Sequence, residues 1–137
     1  MNIITFGNFS IYSGLEFSIH ACADLKEKGS QFYYTIYTND TNNEMILFSI
    51  YDMKLENEVT VKSIHDLQLS KNSIILFPNT NTDKDTVKMI TEYYPNDLHT
   101  LASDVFKDAF SSYKNISFFE SWSHQSIVEA ILEKINR

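Results

Sequence analysis

The residues whose types and spacing could do chemistry gather in one stretch, Phe6-Gly7-Asn8-Phe9-Ser10-Ile11-Tyr12-Ser13-Gly14-Leu15-Glu16. Ser13 and Glu16 have the S-x-x-E spacing of a capping box, in which each side chain satisfies a backbone N–H at a helix start. An apolar strand that feeds a helix through a glycine loop aims first-turn N–H groups past the end of the strand. Their partial positive charge suits an anion. The chemistry on offer is ligand holding, not bond breaking.

Other candidates are weaker. His20, His65, His99 and His124 show no metal-ligand spacing and read as helix-surface or loop residues, so no metal is expected. Cys22 falls on the apolar face of the first helix and reads as a small core residue. One cysteine excludes a disulfide scaffold and a cysteine-based zinc site. Nothing in the sequence pairs Asp52, Asp66, Asp97 or Asp104 with one another, and Ser10 and Ser13 lack a nucleophile-elbow pattern. The chain has no G-x-G-x-x-G and no P-loop, which disfavours dinucleotide or nucleoside triphosphate chemistry. No catalytic residue is assigned.

The elements that must position the loop follow from periodicity. Ile3 to Phe6 reads as a buried strand, and a helix opens at Ser13 with Leu15, Ile19, Cys22 and Ala23 at helical spacing. Gly29 stops that helix. Residues 31–37 read as a strand, 38–43 as a polar loop, 44–52 as a helix and 59–61 as a short strand. Residues 64–69 are ambiguous and read as a short helix. The apolar run 73–77 stops at Pro78, as a fully buried central strand would. A second polar loop leads through a Thr82 cap into a helix that runs to about Tyr94 and ends at Pro95. Residues 98–102 then read as a strand, 104–113 as a short helix and 116–119 as a sixth strand. Ser123 caps a last helix in which Ile127, Val128, Ile131, Leu132 and Ile135 share one face.

Six alternations of strand and helix predict an α/β, Rossmann-like three-layer sandwich. The expected sheet is parallel, in the order 3-2-1-4-5-6, with helices on both faces. Its carboxyl edge, where such folds bind ligands, would carry loops 7–13, 38–43 and 78–85.

The length of 137 residues fits one domain, 1–137, with room for a real core. A net charge of −7 without a Lys/Arg cluster excludes a phosphate-backbone binder, so no nucleic acid is expected. No apolar run reaches membrane-span length and the first residues read as a core strand, so a cytoplasmic chain is expected. Aromatic residues make up 14% of the chain, more than alternating doublets such as Tyr33-Tyr34 and Phe118-Phe119 can all bury. Tyr93, Tyr94 and Trp122 are the candidate interface rings, because Tyr and Trp are enriched at binding hot spots.

With its loops in this order, the chain resembles the carboxyl-terminal, nucleotide-sugar-binding domain of GT-B glycosyltransferases of the family-4 type. Phe6-Gly7-Asn8 stands for that family's Gly-Arg turn, and Ser13-Gly14 for the Lys-Gly that opens its first helix. Ala21-Cys22-Ala23-Asp24-Leu25-Lys26-Glu27-Lys28-Gly29 looks like the end of that helix. Leu55-Glu56-Asn57-Glu58-Val59-Thr60-Val61 looks like the approach to its third strand, and Ile75-Leu76-Phe77-Pro78-Asn79 like its strand ending in Pro-Ser. Leu101-Ala102-Ser103-Asp104 looks like its Ala-Ser-Asp strand end, and residues 126–135 like its late helix.

The resemblance implies a donor site at Gly7, Asn8, Ser13, Gly14, Asn79, Lys84 and Glu92. It also implies that this site has decayed. In the family, an Arg and a Lys hold the donor pyrophosphate, and two glutamates hold the sugar and ribose. Here those positions are Asn8, Ser13, Lys84 and Glu92, so one of the four groups remains. Neutral Asn and Ser can donate hydrogen bonds to a phosphate but bring no positive charge against it. Asp83 and Asp85 already occupy the positive end of the next helix, where carboxylates are worth about 0.3–1 kcal/mol each.

Two functions follow as expectations. One is a non-catalytic transferase-like domain that stabilises another GT-B lobe or a glycosyltransferase subunit, as degenerate subunits do in transferases that glycosylate serine-rich bacterial adhesins. The other is a working donor domain, with Glu92 kept and cations lent by a missing acceptor lobe. No cofactor is expected beyond a weakly held UDP-sugar. A chain that opens directly on a core strand is expected to be one lobe cut at a domain boundary.

Overall fold

The computed structural model describes residues 1–9, 13–82, 84–93 and 98–135. Its sheet is built outward from two apolar strands, β1 (Asn2–Phe6) and β4 (Ser73–Phe77), which pair in parallel with Ile3 opposite Ile74 and Ile4 opposite Ile75. Both are apolar on two faces, so neither could lie at an edge without exposing one. β2 (Tyr33–Thr38) pairs with β1, and β3 (Val59–Ser63) with β2. On the other side β5 (His99–Ser103) pairs with β4, and β6 (Ile116–Phe119) with β5. All pairs are parallel and the order is β3-β2-β1-β4-β5-β6, as the alternation predicts.

The two faces of the sheet are covered differently. Helices α1 (Leu15–Glu27), α2 (Glu44–Asp52) and α4 (His124–Ile135) pack Leu15, Ile19, Ile46, Ile50, Ile127 and Ile131 onto one face. The opposite face carries α3 (Lys84–Tyr93) and a set of aromatic rings. Phe6, Phe77, Phe106, Phe110 and Tyr113 follow one another at centroid separations of 5.1 to 6.1 Å. Much of the aromatic excess is therefore core.

Two expectations are corrected. α1 begins at Leu15 rather than Ser13, and its N-cap is Gly14, at φ 95° with no side-chain cap bond. The capping box does not form, because Ser13 lies one position too early and its hydroxyl is buried. Residues 104–113 form only a 3-10 turn, Asp104–Phe106, followed by turns. There the packing of Phe106 and Phe110 beneath Phe77 outweighs a regular helix. The ambiguous stretch 64–69 does hold a short helix, a 3-10 turn over Ile64–Asp66 capped by the Ser63 hydroxyl.

The Ser123 and Gly29 signals act as read, and Asn43 supplies a cap that the sequence reading did not name. Asn43 Oδ1 accepts from the N–H groups of Met45 and Ile46 to start α2. Ser123 Oγ accepts from the N–H of Ser126 at the start of α4. Gly29, at φ 83°, closes α1 in a Schellman motif, with Ser30 N–H on the Leu25 carbonyl and Gly29 N–H on the Lys26 carbonyl. Tyr34, wholly buried on β2, joins sheet to helix through its hydroxyl. It lies 2.7 Å from Thr5 Oγ1 and donates to Ser18 Oγ at 2.9 Å. Burial pushes its phenol up from the ordinary value. Among the described residues no helix is long and apolar enough to cross a membrane.

Candidate functional site

The site begins where β1 ends. Gly7 extends the β1–β2 ladder by donating its N–H to the Tyr37 carbonyl at 3.0 Å, and the next residue, Asn8, is exposed. The chain returns at Ser13 and enters α1 through Gly14, which lies against the loop after β4. A Cβ at Gly14 would stand 2.1 Å from the Pro78 carbonyl oxygen, so only glycine fits this approach. The N–H of Thr80 donates to the Ser13 carbonyl at 3.1 Å and ties the two loops together. The Ser103 hydroxyl, at the end of β5, donates to the Asn79 carbonyl. Three strand ends thus converge on one junction at the carboxyl edge.

Among the described residues, two buried polar atoms are left over. Ser13 Oγ and Asn79 Oδ1 are buried and have no hydrogen-bond partner. Their residues are 8% and 6% exposed, and a buried polar atom without a partner costs about 1–3 kcal/mol. Both atoms belong to the junction that presents the α1 start. Its described residues contribute hydroxyl, amide and backbone N–H groups, and no charge.

The other donor-site candidates lie on α3. Lys84 opens it, exposed, with Asp85 beside it in the first turn. Glu92 is exposed in the last turn, about 12 Å along the axis from Lys84 at 1.5 Å per residue. It lines an open groove of about 300 Å³ with Asn39, His65, Asp85, Lys88 and Tyr93. The structure therefore joins Ser13, Gly14 and Asn79 at the α1 start, and sets Glu92 in a separate groove between α3 and the Ile64–Asp66 turn.

Of the candidate interface rings, Trp122 is 63% exposed and meets Phe17 edge-on, with centroids 5.8 Å apart. Tyr93 is partly exposed but rests its ring edge against Phe6 at 6.0 Å. Tyr94, with Pro95 and the loop residues Ser10, Asp83 and Asp97, lies outside the described residues. Periodicity did not single out the exposed side of α2, where Met45, Leu47, Phe48 and Tyr51 all face solvent. Cys22 is buried, and burial pushes its thiol well above the ordinary value, so it is unreactive.

One grouping went unseen. His20 and Asp24 stand one turn apart on α1, and His124 opens α4 beside them. The two imidazoles stack at 3.7 Å with 8° between planes, and His124 Nε2 lies 3.2 Å from Asp24 Oδ2. The spacing of His20 and Asp24 is a same-face signal that sequence offers. The arrival of His124, a hundred residues on, is not.

No family model matches the sequence, and no curated protein matches it. Solved structures do. The glycosyltransferase from Rickettsia africae ESF-5 superposes with a TM-score of 0.74 at 12% identity, over 98% of this chain and 37% of that one. The fold is that of a glycosyltransferase domain. Sucrose-phosphate synthase from Thermosynechococcus elongatus gives a TM-score of 0.71 at 13% identity, over 98% of this chain and 36% of that one. The C-terminal domain of a group 1 glycosyl transferase (LpcC) from Francisella tularensis gives 0.64 at 12% identity, over 99% and 75%. The chain thus spans little more than a third of the first two proteins. The chain shares the Rossmann-like fold of these glycosyltransferase domains, and identities this low speak for the fold alone.

Proposed function

We propose that this chain is a donor-type GT-B lobe whose nucleotide-sugar site has decayed, and that it acts as a partner or stabilising subunit for another lobe or transferase subunit. The observation that carries this reading is the chemistry of the α1 start. By the family resemblance Asn8 and Ser13 stand where a pyrophosphate would need cations, and Ser13 is buried against the loop after β4. Among the described residues of that junction a diphosphate would meet hydrogen-bond donors without positive charge. The exposed Trp122 and the apolar outer side of α2 supply surface for protein contact.

Calorimetry on the chain with UDP, UDP-glucose and UDP-N-acetylglucosamine tests the reading. The expected affinity is no tighter than about millimolar, roughly 4 kcal/mol. Micromolar binding would overturn it. One observation favours the second reading, a working donor domain that uses hydrogen bonds alone: Ser13 Oγ and Asn79 Oδ1 are buried without partners, and an opening of the junction that admitted a ligand would satisfy them. Under that reading, binding is lost in Asn79→Ala. Under the first there is nothing to lose.

A further inference from the structure

The geometry points to a transition-metal site between α1 and α4, with His20, Asp24 and His124 as ligands and Zn²⁺ as the cation it takes. The potential ligand atoms of the three residues all lie within 4.8 Å of one another. Ligands held at about 2.0–2.1 Å in a tetrahedral site stand roughly 3.3 Å apart, and imidazole lone pairs lie in the ring plane, so closing on an ion asks the stacked rings of His20 and His124 to rotate out of their parallel arrangement until both nitrogens face it. His124 Nε2 and Asp24 Oδ2, at 3.2 Å, already have that separation.

The backbone needs no movement. His20 and Asp24 are fixed on one face of a thirteen-residue helix by their i, i+4 spacing. The start of α4 is held by Ser123 Oγ on Ser126 N–H, by Ser126 Oγ on the Glu120 carbonyl at 2.6 Å, and by Trp122 against Phe17. α1 and α4 pack on each other, with Ile19, Leu25, Ile127 and Ile131 in the shared core below the cluster. The three side chains therefore sit at a preformed helix–helix seam.

The donor set selects the class of cation. Two imidazole nitrogens and one carboxylate oxygen suit Zn²⁺ and its neighbours in the first transition row. Mg²⁺ and Ca²⁺ require sets dominated by oxygen. His20 is exposed and the other two are half-buried, so the fourth position opens to solvent and a water completes the tetrahedron. The bound ion would pin α4 to α1 from outside the core.

The test uses the whole chain with ZnCl₂, MgCl₂ and CoCl₂. Zn²⁺ at a hundredfold excess over its dissociation constant should raise the melting temperature by about 10 °C. Mg²⁺ should leave it unchanged, and Co²⁺ should show the visible bands of a tetrahedral N/O site. His20→Gln and His124→Gln should each weaken Zn²⁺ binding by more than the roughly 10–100-fold that losing even an outer-shell partner costs. His99→Gln, at the exposed start of β5, is the control and should bind as wild type. If His124→Gln lowers the metal-free melting temperature, the exposed His20 still gives a clean variant. The proposal is overturned if Zn²⁺ does not bind below about millimolar, if it binds the double variant as well as wild type, or if Mg²⁺ stabilises equally.

Discussion

Helix α1 carries two regions that differ in everything that decides what they can hold. Its start is closed: Gly14 lies under the Pro78 carbonyl, Thr80 N–H takes the Ser13 carbonyl, and the polar atoms on hand are neutral and buried. Its flank, roughly one and a half to two and a half turns on at 3.6 residues per turn, is open and carries imidazole and carboxylate groups turned toward His124. A fold fixes where helix N–H groups point, and so where a ligand could dock. The side chains decide whether one does. In this chain the location typical of the fold and the charged chemistry have come apart along a single helix.

The sharpest way to break that comparison is at the closed end. Gly14→Ala puts a methyl into the Pro78 carbonyl and forces an L-residue to φ 95°. Left-handed backbone costs about 1–2 kcal/mol and overpacking a further 1–3, so urea unfolding should show a loss of roughly 2–5 kcal/mol. Gly29→Ala, at the other end of α1, meets nothing within 4 Å and is strained only by its φ of 83°. It should lose about 1–2 kcal/mol. Equal losses would mean that the junction with the loop after β4 adds nothing, and that the start of α1 is no more pinned than its end.

Those two glycines also mark what the sequence could and could not say. Gly29 was legible because a Schellman stop is local: the helical run ends and a left-handed residue follows. The central strands were legible for a similar reason, since the runs ending at Phe6 and Phe77 are apolar without alternation. So was α2, whose Asn43 cap acts within three residues. Gly14 was read as part of a helix already capped by Ser13. What sets its conformation is the Pro78 carbonyl, 64 residues away and visible only once β1 and β4 are neighbours. The histidine cluster failed for the same reason, because α4 reaches α1 only after the sheet has brought its last strand round. Local chemistry is readable from sequence, and chemistry made by packing is not.

A smaller effect separates the capping box from the buried hydroxyl directly. If Ser13 capped α1, Ser13→Ala would cost about 1 kcal/mol. With Ser13 Oγ buried and unpartnered, removing it relieves a desolvated group and should leave stability unchanged or raise it by up to about 1 kcal/mol. Thermal unfolding of the single variant decides between the two signs. A loss would show that the closed end of α1 satisfies its polar groups after all, and half the contrast with the flank would go.

The smallest expected change in stability belongs to Trp122, and it bears on what the open side of the molecule is for. Trp122 holds φ 63°, a backbone region that costs a bulky L-residue about 1–2 kcal/mol, with its ring 63% exposed. Its edge contact with Phe17 is worth about 0.5–1.5 kcal/mol. In Trp122→Gly the relieved strain and the lost contact should nearly cancel, leaving unfolding free energy within about 1 kcal/mol of wild type. A strained residue whose ring contact does no more than offset that strain, with the rest of the ring in solvent, is explained if the ring also inserts into a partner. Truncating such an anchor typically costs about 2 kcal/mol or more, which is roughly thirtyfold in affinity for another lobe or transferase subunit. Co-purification should then fall while the melting temperature holds. If instead stability drops by more than the ring contact is worth and binding persists, Trp122 is a strut that holds α4 against α1. The partner surface would then have to be sought on α2, where Leu47, Phe48 and Tyr51 stand exposed.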